Sequence, residues 1–158
     1  SYRYNRISAF LNGGGEKQNS GYQLNQSLSA IGSGGLTGVG FGKSTGKYKS
    51  LPEPIGDSIF AVIAEELGFI GAAFLIIIFI IIFIRGFLIA KNAPDQFSKL
   101  TVIGLISIIA IQTFIHITAI SGLIPLTGVP LPFISFGGTS LAIFLTMTGV
   151  IANISRRT

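Results

Sequence analysis

The sequence predicts an all-α integral membrane protein: three transmembrane helices, preceded by a large extracytoplasmic loop with short amphipathic helices. Composition and charge spacing carry that prediction. Of the 158 residues, 49% are hydrophobic and only 11% are charged, against about 25% charged in a soluble globular domain. No Asp, Glu, Lys or Arg occurs between residues 67 and 84, and none between residues 100 and 155. Uncharged apolar stretches of about 18 residues or more read as membrane-crossing helices. The mean hydropathy of +0.69 agrees.

The same composition excludes several functions. The chain has no cysteine, which removes disulfide frameworks, zinc sites and thiol nucleophiles. A single histidine argues against a transition-metal site, and no metal site is expected. The net charge of +5 comes without a basic patch interleaved with aromatics, so the basic residues point to a membrane and not to nucleic acid. The chain opens on Ser1 with no signal-peptide pattern. It is expected to be a piece of a longer protein, because a few spans rarely make a complete membrane enzyme.

Two zones meet near Asp57. Residues 1–56 hold 12 of the 21 glycines and 6 of the 11 basic residues, and nothing in them can span a bilayer. Tyr4, Ile7 and Leu11 at helical spacing, beside Arg3 and Arg6, read as a helix end at a membrane surface. Gly13-Gly14-Gly15 breaks it. Leu24, Leu28 and Ile31 repeat at i, i+4, i+7 and predict a short amphipathic helix, stopped by Gly32-Ser33-Gly34-Gly35. Residues 57–158 are the membrane region, with spans expected at about 57–88, 98–120 and 138–155. The loop Lys91-Asn92-Ala93-Pro94-Asp95-Gln96 turns the chain between the first two. Ser121, Gly122, Pro125, Gly128, Pro130 and Pro132 make an uncharged irregular loop before the third. Arg85, Lys91, Lys99, Arg156 and Arg157 gather near span ends on one side. The positive-inside rule puts that side, with the C-terminus, in the cytoplasm and residues 1–56 outside.

Several residues carry candidate chemistry. Gly38-Val39-Gly40-Phe41-Gly42-Lys43-Ser44 falls one residue short of the P-loop spacing, since Thr37 stands where the first glycine should be. It reads either as a flexible turn or as backbone N–H groups that, with Lys43, Lys47 and Lys49, cradle a phosphate or pyrophosphate. Asp57 opens an apolar helix, as an N-cap or as a general base at the membrane boundary. Glu65 and Glu66 lie about 12–14 Å further along a helix, beyond the roughly 5–9.5 Å of a glycosidase carboxylate pair. Carboxylates at that depth face a bundle interior or cavity, and a basic residue on a helix outside this fragment is their expected partner. His116, one turn after Gln112, reads as an interhelical hydrogen-bonding residue or a proton relay. Pro132-Phe133-Ile134-Ser135-Phe136-Gly137-Gly138-Thr139 reads as a helix entry, or as small residues that let a lipid headgroup approach.

Three ordered blocks resemble the SEDS family (shape, elongation, division, sporulation), the FtsW, RodA and SpoVE group. The first is Gly21-Tyr22-Gln23 with Gln26-Ser27, then Ala30-Ile31-Gly32-Ser33-Gly34-Gly35-Leu36 and Gly38-Val39-Gly40. The second is Leu51-Pro52-Glu53-Pro54 through Asp57, then Ile59-Phe60-Ala61-Val62-Ile63-Ala64-Glu65-Glu66-Leu67-Gly68. The third is Gly122-Leu123-Ile124-Pro125, Thr127-Gly128, then Leu131-Pro132-Phe133-Ile134-Ser135-Phe136-Gly137-Gly138. The second and third blocks are nearer the division (FtsW-type) branch than the elongation (RodA-type) branch.

The resemblance implies a ten-helix bundle, of which this chain supplies the C-terminal part: the large loop after helix seven and helices eight to ten. It implies a multi-pass protein of the bacterial inner membrane that polymerises lipid II into glycan strands beside a class B penicillin-binding protein. An isolated fragment is expected to be inactive. The family's essential aspartate corresponds to Asp57, where Ile55-Gly56-Asp57-Ser58 replaces the usual His-Thr-Asp-Phe; His116 stands where Asn is common. Asp57 would deprotonate the acceptor sugar hydroxyl, and undecaprenyl pyrophosphate would leave the lipid-linked glycan. Lys43, Lys49, Glu53, Ser135, Gly137 and Gly138 are the expected substrate contacts. The pyrophosphate charge calls for Lys43, Lys49 or a divalent cation such as Mg2+. A lipid II flippase is the rival, since broken loops and intramembrane carboxylates also suit a transporter. A scaffold for division proteins is a third reading.

Overall fold

The computed structural model describes residues 19–43 and 58–157. Among them it forms four helices: α1 (Asn19–Gly34), α2 (Ile59–Lys91), α3 (Gln96–Ile120) and α4 (Gly138–Ser155). The fold is all-helical, and α2, α3 and α4 are each long and apolar enough to cross a membrane. With no water to satisfy backbone groups, a helix is the only spanning form for such stretches.

α1 departs from its sequence pattern in two ways. It runs through Gly32 and Ser33 to end at Gly34, and its buried stripe is small and polar. Ser27, Ala30 and Gly34 are buried while Leu28 is exposed. The reason is distance. A Cβ on Gly34 would collide with the carbonyl oxygen of Ala64, so α1 lies against α2 backbone to backbone, as small-residue helix pairs do in membranes. The hydroxyls fold back on their own helix: Ser27 Oγ donates to Gln23 O at 2.9 Å and Ser33 Oγ to Ala30 O at 2.8 Å.

α2 is two helices joined at a kink. Gly68, at φ 68° and ψ −168°, breaks it. Residues 59–67 form a half-helix, and residues 69–91 form the span proper. At about 1.5 Å per residue the latter reaches roughly 35 Å, enough for a hydrocarbon core about 30 Å thick. It is apolar on every side, as a membrane helix is.

The turn to α3 is short. Asn92 N–H closes α2 on Leu88 O at 3.2 Å, and Asp95 caps α3 through Ser98 N (2.8 Å) and Ser98 Oγ (2.7 Å). At this end Ala90, Val102, Ile106 and Ile151 pack the bundle. Gly86 lets α3 approach, since a Cβ there would lie 2.6 Å from Ile106 Cγ1. The opposite end is packed by α1, α2, α3 and the 121–137 loop around Ala30, Phe60, Ala61, Ala64, Ala119, Ile120 and Leu126. Alanines prevail there, and that end carries the irregular backbone.

Candidate functional site

Breaking a helix leaves orphan C=O groups before the break and orphan N–H groups after it. Residues 35–40, which follow α1, bond two groups of each set. Gly35 O and Leu36 O accept from Phe69 N (2.9 Å) and Ile70 N (3.2 Å), at the start of the span. Val39 N and Gly40 N donate to Glu65 O (3.0 Å) and Glu66 O (3.1 Å), at the end of the half-helix. Gly38 N returns to Gly34 O at 2.8 Å. The strap needs glycine at its crossing. A Cβ on Gly38 (φ 79°) would strike Glu66 O, and one on Gly68 would strike Gly38 N.

In the glycine stretch read as a turn or a phosphate cradle, the Gly38, Val39 and Gly40 N–H groups are donated to backbone carbonyls. Ser44, Lys47 and Lys49 of that reading lie outside the described residues. The Glu65 and Glu66 side chains are buried beside the break. Glu66 Oε1 has no hydrogen-bond partner among the described residues. Two carboxylates at the negative end of a half-helix oppose its dipole.

The 121–137 loop is held differently. His116 Nδ1 lies 2.7 Å from Val129 O, and Gln112 Nε2, one turn earlier on α3, donates to Pro130 O at 3.1 Å. A carbonyl can only accept, so Nδ1 carries the imidazole proton. Both side chains bond irregular backbone at membrane depth, the condition under which such backbone is tolerated. Further on, Ser135 Oγ accepts from Leu131 N (2.7 Å) while Ser135 N donates to Leu131 O (3.1 Å). This two-way latch holds Phe133 at φ 65°. That strained backbone is offset by the Phe133 ring packing on Phe144, centroids 5.6 Å apart.

The two constructions meet at one end of the bundle. Gln23 of α1, His116 of α3 and Thr127 and Gly128 of the loop line a cavity with room for about one water molecule. Gln23 Nε2 donates to Ser58 Oγ at 3.4 Å. Alongside, an apolar groove of about 440 Å³ runs between α1 and α2, lined by Ile31, Phe60, Phe69, Ala72 and Ile76.

The sequence-predicted site residues fall as follows. Asp57, Lys49 and Glu53 lie outside the described residues; Ser58, the neighbour of Asp57, is fully buried. Lys43 is exposed at the end of the strap, its N–H on Gly40 O at 3.1 Å. Ser135 is buried in its latch. Gly137, extended at φ 179°, caps α4, and a Cβ on Gly138 would meet nothing within 4 Å, so space is open in front of that helix. Sequence reasoning missed Gln112, the Gln23–Ser58 contact and the break at Gly68. The run Glu65-Glu66-Leu67-Gly68 ahead of an uncharged stretch was the available signal for the break.

A polytopic membrane protein with a broken helix, strapped by a glycine loop and faced by a side-chain-held irregular loop, is the class this architecture defines. The comparisons with known proteins give the family. Over residues 1–158 the chain matches the FtsW/RodA/SpoVE family, described as cell cycle protein, and it belongs to that family. It is 48% identical over 155 residues to stage V sporulation protein E of Bacillus subtilis (strain 168), covering 98% of this chain and 42% of that protein. It is 52% identical over 136 residues to the probable peptidoglycan glycosyltransferase FtsW of the same organism, covering 86% of this chain and 34% of that protein. Among solved structures it matches a chain from work on structural coordination of polymerization and crosslinking by a peptidoglycan synthase complex. The TM-score is 0.79 at 25% identity, over 99% of this chain and 42% of the other. The chain thus spans about two fifths of the length of sporulation protein E and of that solved chain.

Proposed function

We propose that the whole protein is a peptidoglycan glycosyltransferase of the division branch, polymerising lipid II with Asp57 as general base. The observation that carries this reading is the half-helix of residues 59–67. It begins two residues after Asp57 in the chain, behind its N-cap Ser58, stands apart from the span proper, and is packed against α1 at an end of the bundle that buries Ser27, Ser58, Glu65, Glu66 and His116. In the proposed reaction the acceptor C4 hydroxyl gives its proton to the Asp57 carboxylate as its oxygen attacks the anomeric carbon of the lipid-linked strand. The bond from that carbon to the pyrophosphate oxygen breaks, and undecaprenyl pyrophosphate leaves with the electron pair. Base catalysis of this kind contributes about 10²–10⁴-fold.

The remaining assignments follow the same logic. The apolar groove between α1 and α2 suits a polyisoprenoid tail. Lys43 and Lys49, or a divalent cation such as Mg2+, would offset the pyrophosphate charge. Such a cation binds through phosphates and one or two carboxylates, and among the described residues no group of three His, Cys, Asp or Glu could hold a metal. The basic residues near the ends of α2, α3 and α4 favour a cytoplasmic C-terminus in the inner membrane. A class B penicillin-binding protein is the proposed partner, in keeping with the synthase complex of the structural relative.

The flippase reading draws less support. Transporters with broken helices use the freed backbone ends to bind substrate or ions, whereas here the strap occupies both ends. Purified full-length protein given labelled lipid II should make polymer as wild type and none as Asp57→Ala. Equal polymer from both would overturn the assignment of the base. Movement of lipid II across vesicles that persists in Asp57→Ala would favour the flippase.

A further inference from the structure

We infer that α1 is a splint that positions the half-helix of residues 59–67, with Gln23 as the positioning residue at its catalytic end; the inference rests on the reading of Asp57 as the base. The half-helix is detached from its own span by Gly68 and is gripped at both ends by elements of α1 and the strap that follows it. At the far end, the strap takes the Glu65 and Glu66 carbonyls, and Gly34 sits on the Ala64 carbonyl so closely that a Cβ would collide. At the near end, Gln23 Nε2 donates to Ser58 Oγ. Gln23, Ser27, Ala30 and Gly34 recur at i, i+4, i+7 and i+11, one stripe along the helix, so both grips lie on one face of α1.

The chemistry of Ser58 is the second argument. Its carbonyl accepts from Ala61 N (3.0 Å) and Val62 N (3.3 Å), which makes it the N-cap residue of the half-helix. A serine there ordinarily caps with its own hydroxyl, yet Ser58 makes no side-chain cap bond. The hydroxyl is turned to Gln23 instead. A residue that gives up its usual local bond for one across 35 positions of sequence ties two elements together, and this one adjoins Asp57 in the chain. Gln23 also lines the cavity shared with His116, Thr127 and Gly128, so its carboxamide lies where α1, α3 and the 121–137 loop converge.

The test uses full-length protein and labelled lipid II, with kcat, KM and thermal midpoint measured for each variant. Misplacing a reacting group by about 1 Å costs on the order of 10²-fold in rate. Gln23→Ala is therefore expected to lower kcat by roughly 10- to 100-fold while KM and thermal midpoint stay at wild-type values. Ser58→Ala should do the same, and the double variant should be no worse than either single one. Gln23→Glu, which can accept from the Ser58 hydroxyl, should recover part of the rate. Gly32→Ala, on the same helix with nothing within 4 Å of the new Cβ, should match wild type. Wild-type kcat in Gln23→Ala beside a dead Asp57→Ala would overturn the splint and leave the base standing. So would a loss of kcat that only tracks a fall in thermal midpoint. Polymer from Asp57→Ala would instead remove the base reading on which the splint depends.

Discussion

The strap of residues 35–40 and the loop of residues 121–137 face the same problem, irregular backbone packed among membrane helices, and solve it by opposite means. The strap is satisfied by other backbone: four hydrogen bonds to the two sides of the Gly68 break, made possible by glycines at the crossing. The loop is satisfied largely by side chains, with Gln112, His116 and Ser135 each holding a main-chain group. One construction is sensitive to any added atom and the other to any lost polar atom.

The largest effects should come from the strap. Gly38→Ala or Gly68→Ala drives a Cβ into backbone on the facing segment, at a φ that L-residues reach only at about 1–2 kcal/mol. Neither neighbour is a flexible side chain, so the crossing must open and lose buried backbone bonds at about 1–3 kcal/mol each. A total loss of at least about 3 kcal/mol is expected, seen as aggregation or a collapsed thermal midpoint of full-length protein in detergent. Gly35→Ala sharpens the point: its φ of 53° is also left-handed, but a Cβ there meets nothing within 4 Å. It should cost only the conformational term, about 1–2 kcal/mol. Equal tolerance of all three would mean the strap does not cross the break as described.

The loop should respond to deletion of polarity. His116→Leu leaves the Val129 carbonyl unbonded and should destabilise by about 1–3 kcal/mol, with Gln112→Leu at the lower end because it is only half-buried. Since the two residues hold adjacent carbonyls, the double variant should fall short of the sum, a coupling that a double-mutant cycle measures. Ser135→Ala should follow at about 1 kcal/mol, because Ser135 N still holds Leu131 O after the hydroxyl is lost. Additive losses from Gln112 and His116 would show that the loop is not held as one unit.

How far these features could be read from sequence follows from what holds each of them. The spans were legible because hydrocarbon permits one backbone solution, so charge-free length alone identifies them. The break at Gly68 was not: it depends on partners some thirty residues earlier, and a glycine in an apolar run looks the same whether the helix passes through it or not. The Leu24, Leu28, Ile31 pattern named the helix but not its buried face, because periodicity weighs apolar bulk while close backbone packing selects Ser27, Ala30 and Gly34. His116 was legible as a hydrogen-bonding residue, though its partner proved to be a loop carbonyl. Asp57 stands out by its place before an apolar helix, and the proposal that it acts as a base comes from resemblance, with its neighbour Ser58 the nearest described residue.

The smallest effect belongs to the far end of the bundle, where one exposed side chain caps α3. Asp95 has its carboxyl held below the ordinary value of 3.8, chiefly by the Ser98 backbone N–H and then by the Ser98 hydroxyl. A depressed carboxylate contributes stability that is fully present above the unfolded-state pKa and is lost as pH falls through the lower folded-state value. Thermal midpoint should therefore be flat near neutrality and begin to decline as pH drops below about 4. Asp95→Ala should remove that contribution at neutral pH and flatten the acid decline by the same amount. An acid decline unchanged by the substitution would show that the Asp95 cap does not carry it.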